Sequence, residues 1–435
     1  MKKVLPGTAI LALAGGFLLS LLAPARPAPV AEGARLVASR QSGWPQFRGP
    51  RRDGVSEEKG LLPRWPESGP PVLWAARGIG SGYSSPVISG DRMIITGDQQ
   101  DQLILTALDR SGKVLWTAAN GSAWKGSYPG ARASAALSGN RIYHLNAHGR
   151  IACLDRDTGR EIWSLDVLNK FGGSNLTWAI SECLLVDEKA VYVTAGGKEG
   201  LVAALDKNTG ATLWKSAPLH DPVRDRALES AGYASPILVE YGGRRLLIGA
   251  SLNHLFCVDA DRGVLQWTQA LHTTYSVLTM TPVLVGDAVF MTAPYAGGGR
   301  LWRLMPVTTV AVEEVWRTEL DTCQGGVVFQ GGRLFGSFYL GRKGFAAVDA
   351  ATGAVLFQAA EWIKGSSVWA DGRFYTLGEN GWMYLLEPGS GSFQIMGKFR
   401  LPEMRTQDAW AHPAILDGRL YLRYHDTLTC YDIRR

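Results

Sequence analysis

Eight positions in the chain carry the side chains best suited to holding a ligand: Tyr83, Arg132, Ala179, Tyr233, Thr279, Gln324, Lys364 and Trp410. Each stands three residues ahead of the proline, or its counterpart, in a recurring string of the type "SPV". If the strings are equivalent strands, these residues form a ring. Its three aromatics, two cations and one amide suit something flat or anionic, held by ring faces and by Arg132 and Lys364. The ring has no carboxylate, which argues against Ca²⁺, an ion that wants several oxygen ligands. Glu182, Glu229, Asp408 and Trp178 stand close to it in sequence. The competing reading is that the same side chains simply fill the end of a channel.

Other reactive residues offer less. His144, His148, His220, His254, His272, His412 and His425 show no metal-binding spacing such as H-E-x-x-H. His412 precedes Pro413 where other repeats carry Ser or Thr, and reads as a packed residue. "GGGRL" (Gly297–Leu301) has no helix pattern after it to make a phosphate cradle. "HDPVRDRALES" (His220–Ser230) is a longer polar insertion, either a solvated loop or a lid. The five cysteines (Cys153, Cys183, Cys257, Cys323 and Cys430) are scattered and odd in number, so isolated buried thiols are expected rather than a disulfide framework.

The elements that would position the ring announce themselves by repetition. "ALDRSGKVLW" (Ala107–Trp116) returns as "CLDRDTGREIW" (Cys153–Trp163) and "ALDKNTGATLW" (Ala204–Trp214), with weaker echoes at Cys257–Trp267 and Ala347–Phe357. A string recurring about every 40–55 residues is an architectural unit. Each unit reads as two alternating strands around a Gly-Asp or Gly-Asn turn, a third strand ending in "LD", a "TG" turn, and a fourth strand ending in Trp. The Asp (Asp109, Asp155, Asp206, Asp259, Asp349) is expected to accept hydrogen bonds from its own turn. The Gly supplies a positive φ. The Trp (Trp74, Trp116, Trp163, Trp214, Trp267, Trp316) is expected to wedge between neighbouring sheets. These are structural roles, not catalytic ones.

Seven outer-strand positions can be counted, the last degraded near Phe393–Ile395. An eighth unit, "AWAHPAILDGRLYLRYHDTLTCYDIRR", stops after its third strand, and "PPVLWAAR" (Pro70–Arg77) upstream supplies the missing fourth. The reading is an all-β, eight-bladed propeller of four-stranded antiparallel blades, closed by the strand near Val72–Trp74. Seven blades is the alternative, with residues 365–399 the place where the count would fail.

The "ALDxxTGxxxW" core resembles the quinoprotein-type, Trp-docking propeller repeat. Three groups share it: the PQQ-dependent alcohol dehydrogenases, the BamB-type outer-membrane assembly lipoproteins, and exported bacterial PQQ-like propeller proteins. "WPQFRGPRRDGVS" (Trp44–Ser56) and "GLLPRWPESGPPVLW" (Gly60–Trp74) are similar to the opening of the third group. The resemblance covers residues 44–435 and bears on fold more than on function. The dehydrogenases imply PQQ with Ca²⁺, covered by a disulfide between adjacent cysteines and held beside a carboxylate cluster. Neither feature can be placed on this sequence. The assembly lipoproteins imply a lipidated Cys, which is also not found here.

The flanks and charge complete the reading. "MKK", the apolar Val4–Leu22 and "APA" (Ala23–Ala25) read as a signal peptide over residues 1–25, with an uncleaved anchor as the alternative. Residues 26–43 read as a Pro/Ala-rich tether and 44–435 as one propeller domain. The formal charge is +6, two units of it from Lys2 and Lys3, and no basic run tracks phosphates, so nucleic acid is not an expected partner. The expectation is an exported, periplasmic or extracellular, non-catalytic binding or scaffold module for a protein or for a small anionic or aromatic ligand. Membrane contact is expected only through an uncleaved leader. The alternatives are a PQQ-dependent oxidoreductase with an atypical site and a BamB-like assembly factor.

Overall fold

The computed structural model describes residue 1 and residues 33–435, except 224, 226, 306–309, 341–343, 362 and 402–407. The span read as a signal peptide lies outside the described residues, apart from Met1. Eight antiparallel sheets follow one another along the chain. Their innermost strands, in blade order, are Val87–Ser89, Ala136–Ser138, Leu185–Val186, Ile237–Tyr241, Val283–Val285, Val328–Gln330, Gly365–Ala370 and Ala414–Leu416. Residues 365–400 form a true four-stranded blade 7, which decides between eight blades and seven. Among the described residues the only helix is the single short turn Val167–Phe171.

Blade 8 closes as the sequence implies. Its outermost strand is Val72–Ala76, which pairs antiparallel with the C-terminal strand Thr427–Asp432, Trp74 lying opposite Cys430. Joining the two ends of the chain in one sheet leaves no open seam in the ring. Apolar side chains from adjacent blades interleave. Ile237, Leu246 and Ile248 of blade 4, for example, share a buried cluster with Phe290, Met291 and Trp302 of blade 5.

The repeat residues do the mechanical work expected of them, with two corrections. Asp155 Oδ1 accepts from the backbone N–H of Asp157 and Thr158, and Asp109, Asp206, Asp259 and Asp349 make equivalent bonds. The Trp does not end the fourth strand but sits near its start: Trp163 is the third residue of Glu161–Asp166. Its indole N–H then reaches across to the next blade, donating to the carbonyl that follows that blade's Asp. Trp74, Trp116, Trp163, Trp214 and Trp316 donate in this way to Arg110, Arg156, Lys207, Ala260 and Ala350 at 3.0–3.1 Å. The exception is Trp267, whose indole N–H has no partner among the described residues. Blade 5, which it faces, lacks the "LDxxTG" string.

The innermost strand of a propeller blade has one unpaired edge facing the channel, and its buried amides and carbonyls need partners. Residues 34–58 supply several of them and bond to all eight blades, at the inner strands or at the turns beside them. Ala34 N–H bonds Asp287 of blade 5, and Val37 N–H bonds Leu238 O of blade 4. Trp44 pairs with Ile88 of blade 1, and Pro45 O accepts from Leu137 N–H of blade 2. Arg52 donates to Cys183 and Leu184 carbonyls of blade 3, and Arg48 to Val327 O of blade 6. Gly54 and Ser56 bond Trp369 of blade 7, and Glu58 accepts from Asp417 N–H of blade 8. Residues 33–43, the C-terminal part of the expected tether, thus lie on the propeller. Arg35 and Leu36 add a fifth strand to blade 4.

Candidate functional site

With that segment against the channel, the ring positions line a cup. It has a volume of about 240 Å³, and Tyr83, Arg132, Tyr233, Thr279, Gln324 and Trp410 all contribute to its wall. Phe47 and His412 also line it, their rings meeting edge to face at 4.8 Å. Lys364, the seventh ring position in chain order, does not line this cup. It lies in the adjoining crevice beside Gln324 and Trp410, and Ala179 is not part of the lining either.

The cup is more aromatic than the ring positions alone suggested. Tyr128, Trp178, Tyr295 and Tyr339 enter from loops rather than from the aligned strands. Tyr128 and Tyr83 each pack at a tilt against Trp410 at 5.0 Å, Tyr295 meets Tyr339 at 5.0 Å, and Trp178 meets Tyr233 at 6.0 Å. Alignment on the proline could not find these residues, because the connecting loops share no register. Tyr128 and Trp178 precede inner strands, whereas Tyr295 and Tyr339 follow the second strands Ala288–Ala293 and Arg333–Ser337. Among the described residues, no carboxylate is part of the lining.

Neither cation is an idle charge. Arg132 donates through Nε to Trp178 O, through Nη1 to Gly130 O, and through Nη2 to Ser127 O and Tyr128 O, all at 2.7–2.8 Å. Burial lowers its pKa to about 10, still well above neutrality. Lys364 Nζ lies 3.2 Å from Glu379 and 4.1 Å from the centre of the Tyr339 ring. Burial pushes the phenols of Tyr83 and Tyr233 up to about 12, so both remain neutral donors. His412 is buried and neutral, its pKa pushed down to about 3 by burial and by Arg48, and its Nε2 bonds the Gln324 carbonyl. Glu182 is buried outside the cup, where Oε2 accepts from Thr194 N–H, and burial raises its pKa to about 7. Glu229 faces away from the cup, toward Asn253 and His254. All five cysteines are free and buried, and Cys183 and Cys323 reach the cup wall.

Fold and repeat together define an eight-bladed PQQ-like propeller. The chain belongs to the family described as "Outer membrane protein assembly factor BamB": that family's model matches residues 55–198 and 100–303, together more than half of the chain. A curated relative, the outer membrane protein assembly factor BamB of Yersinia pestis, is 22% identical over 273 residues. The match takes in 59% of this chain and 63% of the relative, so the chain spans less than two thirds of that protein's length. Among solved structures, BamB from Moraxella catarrhalis superposes with a TM-score of 0.57 at 18% identity, over 82% of this chain and 98% of that one. Quinohemoprotein alcohol dehydrogenase from Comamonas testosteroni gives 0.61 at 12% identity, over 92% and 82%. Both structural likenesses bear on fold alone. No helix among the described residues is long and apolar enough to cross a membrane.

Proposed function

We propose that this chain is an exported, non-catalytic propeller that binds a protein partner in outer-membrane protein assembly, in the manner its family's description names. The observation that carries the reading is membership of the BamB family, matched across more than half of the chain. The cup chemistry supports it. A PQQ–Ca²⁺ pair would need charged oxygen ligands, and the lining offers none among the described residues. Arg132 has four N–H donors already bound to carbonyls, and Lys364 is paired with Glu379. The described residues of the lining therefore do not fit that cofactor. On this reading the leader exports the chain to the periplasm.

The test is crosslinking in living cells followed by affinity isolation of the tagged chain from envelope membranes. The expected outcome is co-isolation of the machinery that inserts outer-membrane β-barrels. Recovery of the chain alone, or dye-linked alcohol oxidation that depends on added PQQ, would overturn the proposal.

A second reading rests on the aromatic wall. Seven Tyr and Trp side chains converge on one 240 Å³ cup, a lining that suits a flat ligand held by stacking. Quenching of tryptophan fluorescence by such a ligand, lost in Trp410→Ala, would support it. Unaltered quenching in that variant would place the ligand elsewhere.

A further inference from the structure

The insertion His220–Ser230, between blades 3 and 4, brings Asp221 against two histidines of blade 4. His254 opens the third strand of the blade, His254–Asp259, and His272 follows its outermost strand, Leu265–Ala270. Asp221 Oδ2 lies 2.7 Å from His272 Nε2, and Asp221 Oδ1 lies 4.0 Å from His254 Nε2. All three ligand atoms fall within 4.8 Å of one another. The two imidazole rings meet edge to face at 5.7 Å.

The neighbours of His254 decide what its ring can do. The Glu229 carboxylate accepts from His254 Nδ1–H, and the same carboxylate is fixed by the backbone and side-chain N–H groups of Asn253. With the proton held on Nδ1, the lone pair sits on Nε2. That Nε2 is buried, has no hydrogen-bond partner, and faces Asp221. A buried polar atom left this way is destabilising unless something occupies it. A carboxylate that orients an imidazole so that its far nitrogen is free to ligate is the arrangement metal sites use.

We propose that Asp221, His254 and His272 form a binding site for a divalent transition-metal ion, Zn²⁺ by preference, with Glu229 positioning His254. Two neutral imidazoles and one carboxylate are the ligand set Zn²⁺ favours when a fourth position is left to water. Tetrahedral ligands about 2.0–2.2 Å from the ion lie roughly 3.4 Å apart. The 2.7 Å and 4.0 Å separations, made by the two oxygens of Asp221, straddle that value, and one ligand atom from each of the three residues lies within 4.8 Å of the others, so the set closes on an ion by side-chain rotation. His272 gives up its Nε2–H hydrogen bond to Asp221 and carries its proton on Nδ1 instead. Its side chain is 27% exposed, which provides the route of entry. The ion fastens the insertion to blade 4. No local spacing in the sequence signals this set, because its three members come from three separate segments.

The whole chain, treated with chelator and free of any histidine tag, is titrated with ZnCl₂ by calorimetry and with CoCl₂ by visible absorption. The expected result is one Zn²⁺ per chain at micromolar Kd or tighter, and a Co²⁺ spectrum of nitrogen and oxygen ligation. His254→Ala and His272→Ala should each weaken Zn²⁺ binding at least tenfold. Because His272 is partly exposed, its variant keeps the test decisive even if His254→Ala fails to fold. Absence of stoichiometric Zn²⁺ uptake, unchanged affinity in His272→Ala, or an intense thiolate-to-Co²⁺ band would each overturn the proposal.

Discussion

The indole N–H of Trp163 donates to the Lys207 carbonyl at 3.0 Å across a blade boundary, and the same ring lies over the α-carbon of Gly210. A Cβ at position 210 would stand 2.7 Å from that ring, and the backbone there has φ +73°. Two separate reasons therefore demand glycine: the left-handed backbone and the close approach of the indole. Blade 2 is thereby keyed to blade 3 through one side chain and one turn.

Gly210→Ala should cost at least ~1–2 kcal/mol from the left-handed backbone alone, with a further loss as Trp163 is pushed off the turn. Trp163→Phe keeps the ring but loses the N–H, leaving the Lys207 carbonyl without its donor, and should cost about 1 kcal/mol. Chemical denaturation of both variants checks the order. Equal midpoints for Gly210→Ala and the wild type would refute it.

Arg52 holds the N-terminal segment in the channel. Its guanidinium donates to Gln46 Oε1, Cys183 O and Leu184 O, and the side chain is buried. Hydrogen bonds from a charged donor are worth about 1.5–3 kcal/mol each, and removing the donor leaves buried carbonyls unpaired. Arg52→Ala should lower stability by at least about 3 kcal/mol and speed amide exchange at Trp44 and Leu137, whose N–H groups bond Ile88 O and Pro45 O. Protection at those two amides matching the wild type would show that the segment seats without it.

Most of the ring was legible in the sequence, and most of what covers it was not. The "LDxxTGxxxW" string carries its own local hydrogen bonds, so its recurrence reports blade number, and the unpaired fourth strand reports closure. The contacts of residues 34–58 are long-range bonds from arginines and main chain to carbonyls, and carbonyls have no sequence signature. Arg48 and Arg52 therefore read as ordinary basic residues although both are buried. Of the aligned ring, Tyr83, Arg132, Tyr233, Thr279, Gln324 and Trp410 share the cup wall and Lys364 lies in the adjoining crevice, because alignment fixes where a Cα sits and not where a long side chain goes. His254 and His272 read as unrelated because their meeting depends on how far the blade 4 strands run before turning.

Acid should unfold this protein through buried neutral histidines. Burial pushes His144 down to about 4 and His412 to about 3, against an ordinary value near 6.5. A group whose folded pKa is depressed contributes stability that is present above its unfolded pKa and is lost as pH falls toward the folded value. Both contributions are thus intact above about pH 6.5 and drain away between there and pH 3–4. His144→Gln should flatten the stability curve over that interval relative to the wild type, whatever its effect at pH 8. Denaturant midpoints at pH 8, 6 and 5 measure this, and parallel curves for the two proteins would rule it out.

Arg132 and Lys364, paired in the sequence reading as anion holders, should behave differently from each other. The four carbonyls bound by Arg132 belong to Ser127, Tyr128, Gly130 and Trp178, two of which carry aromatic rings of the cup wall. Its planar fork reaches all four at once, and a lysine ammonium on a flexible stem does not. Arg132→Lys keeps the charge yet should release the loop. Losing interactions worth about 1.5–3 kcal/mol corresponds to roughly 10–100-fold faster amide exchange, read at Gly130 and Ala131, whose N–H groups bond Trp124 O and Ser81 O. Lys364→Ala removes one ion pair and one ring contact on the far side of Trp410 and should leave those amides protected. If Arg132→Lys leaves exchange unchanged, the charge of Arg132 and not its fork is what matters, and the anion-holding role returns to it.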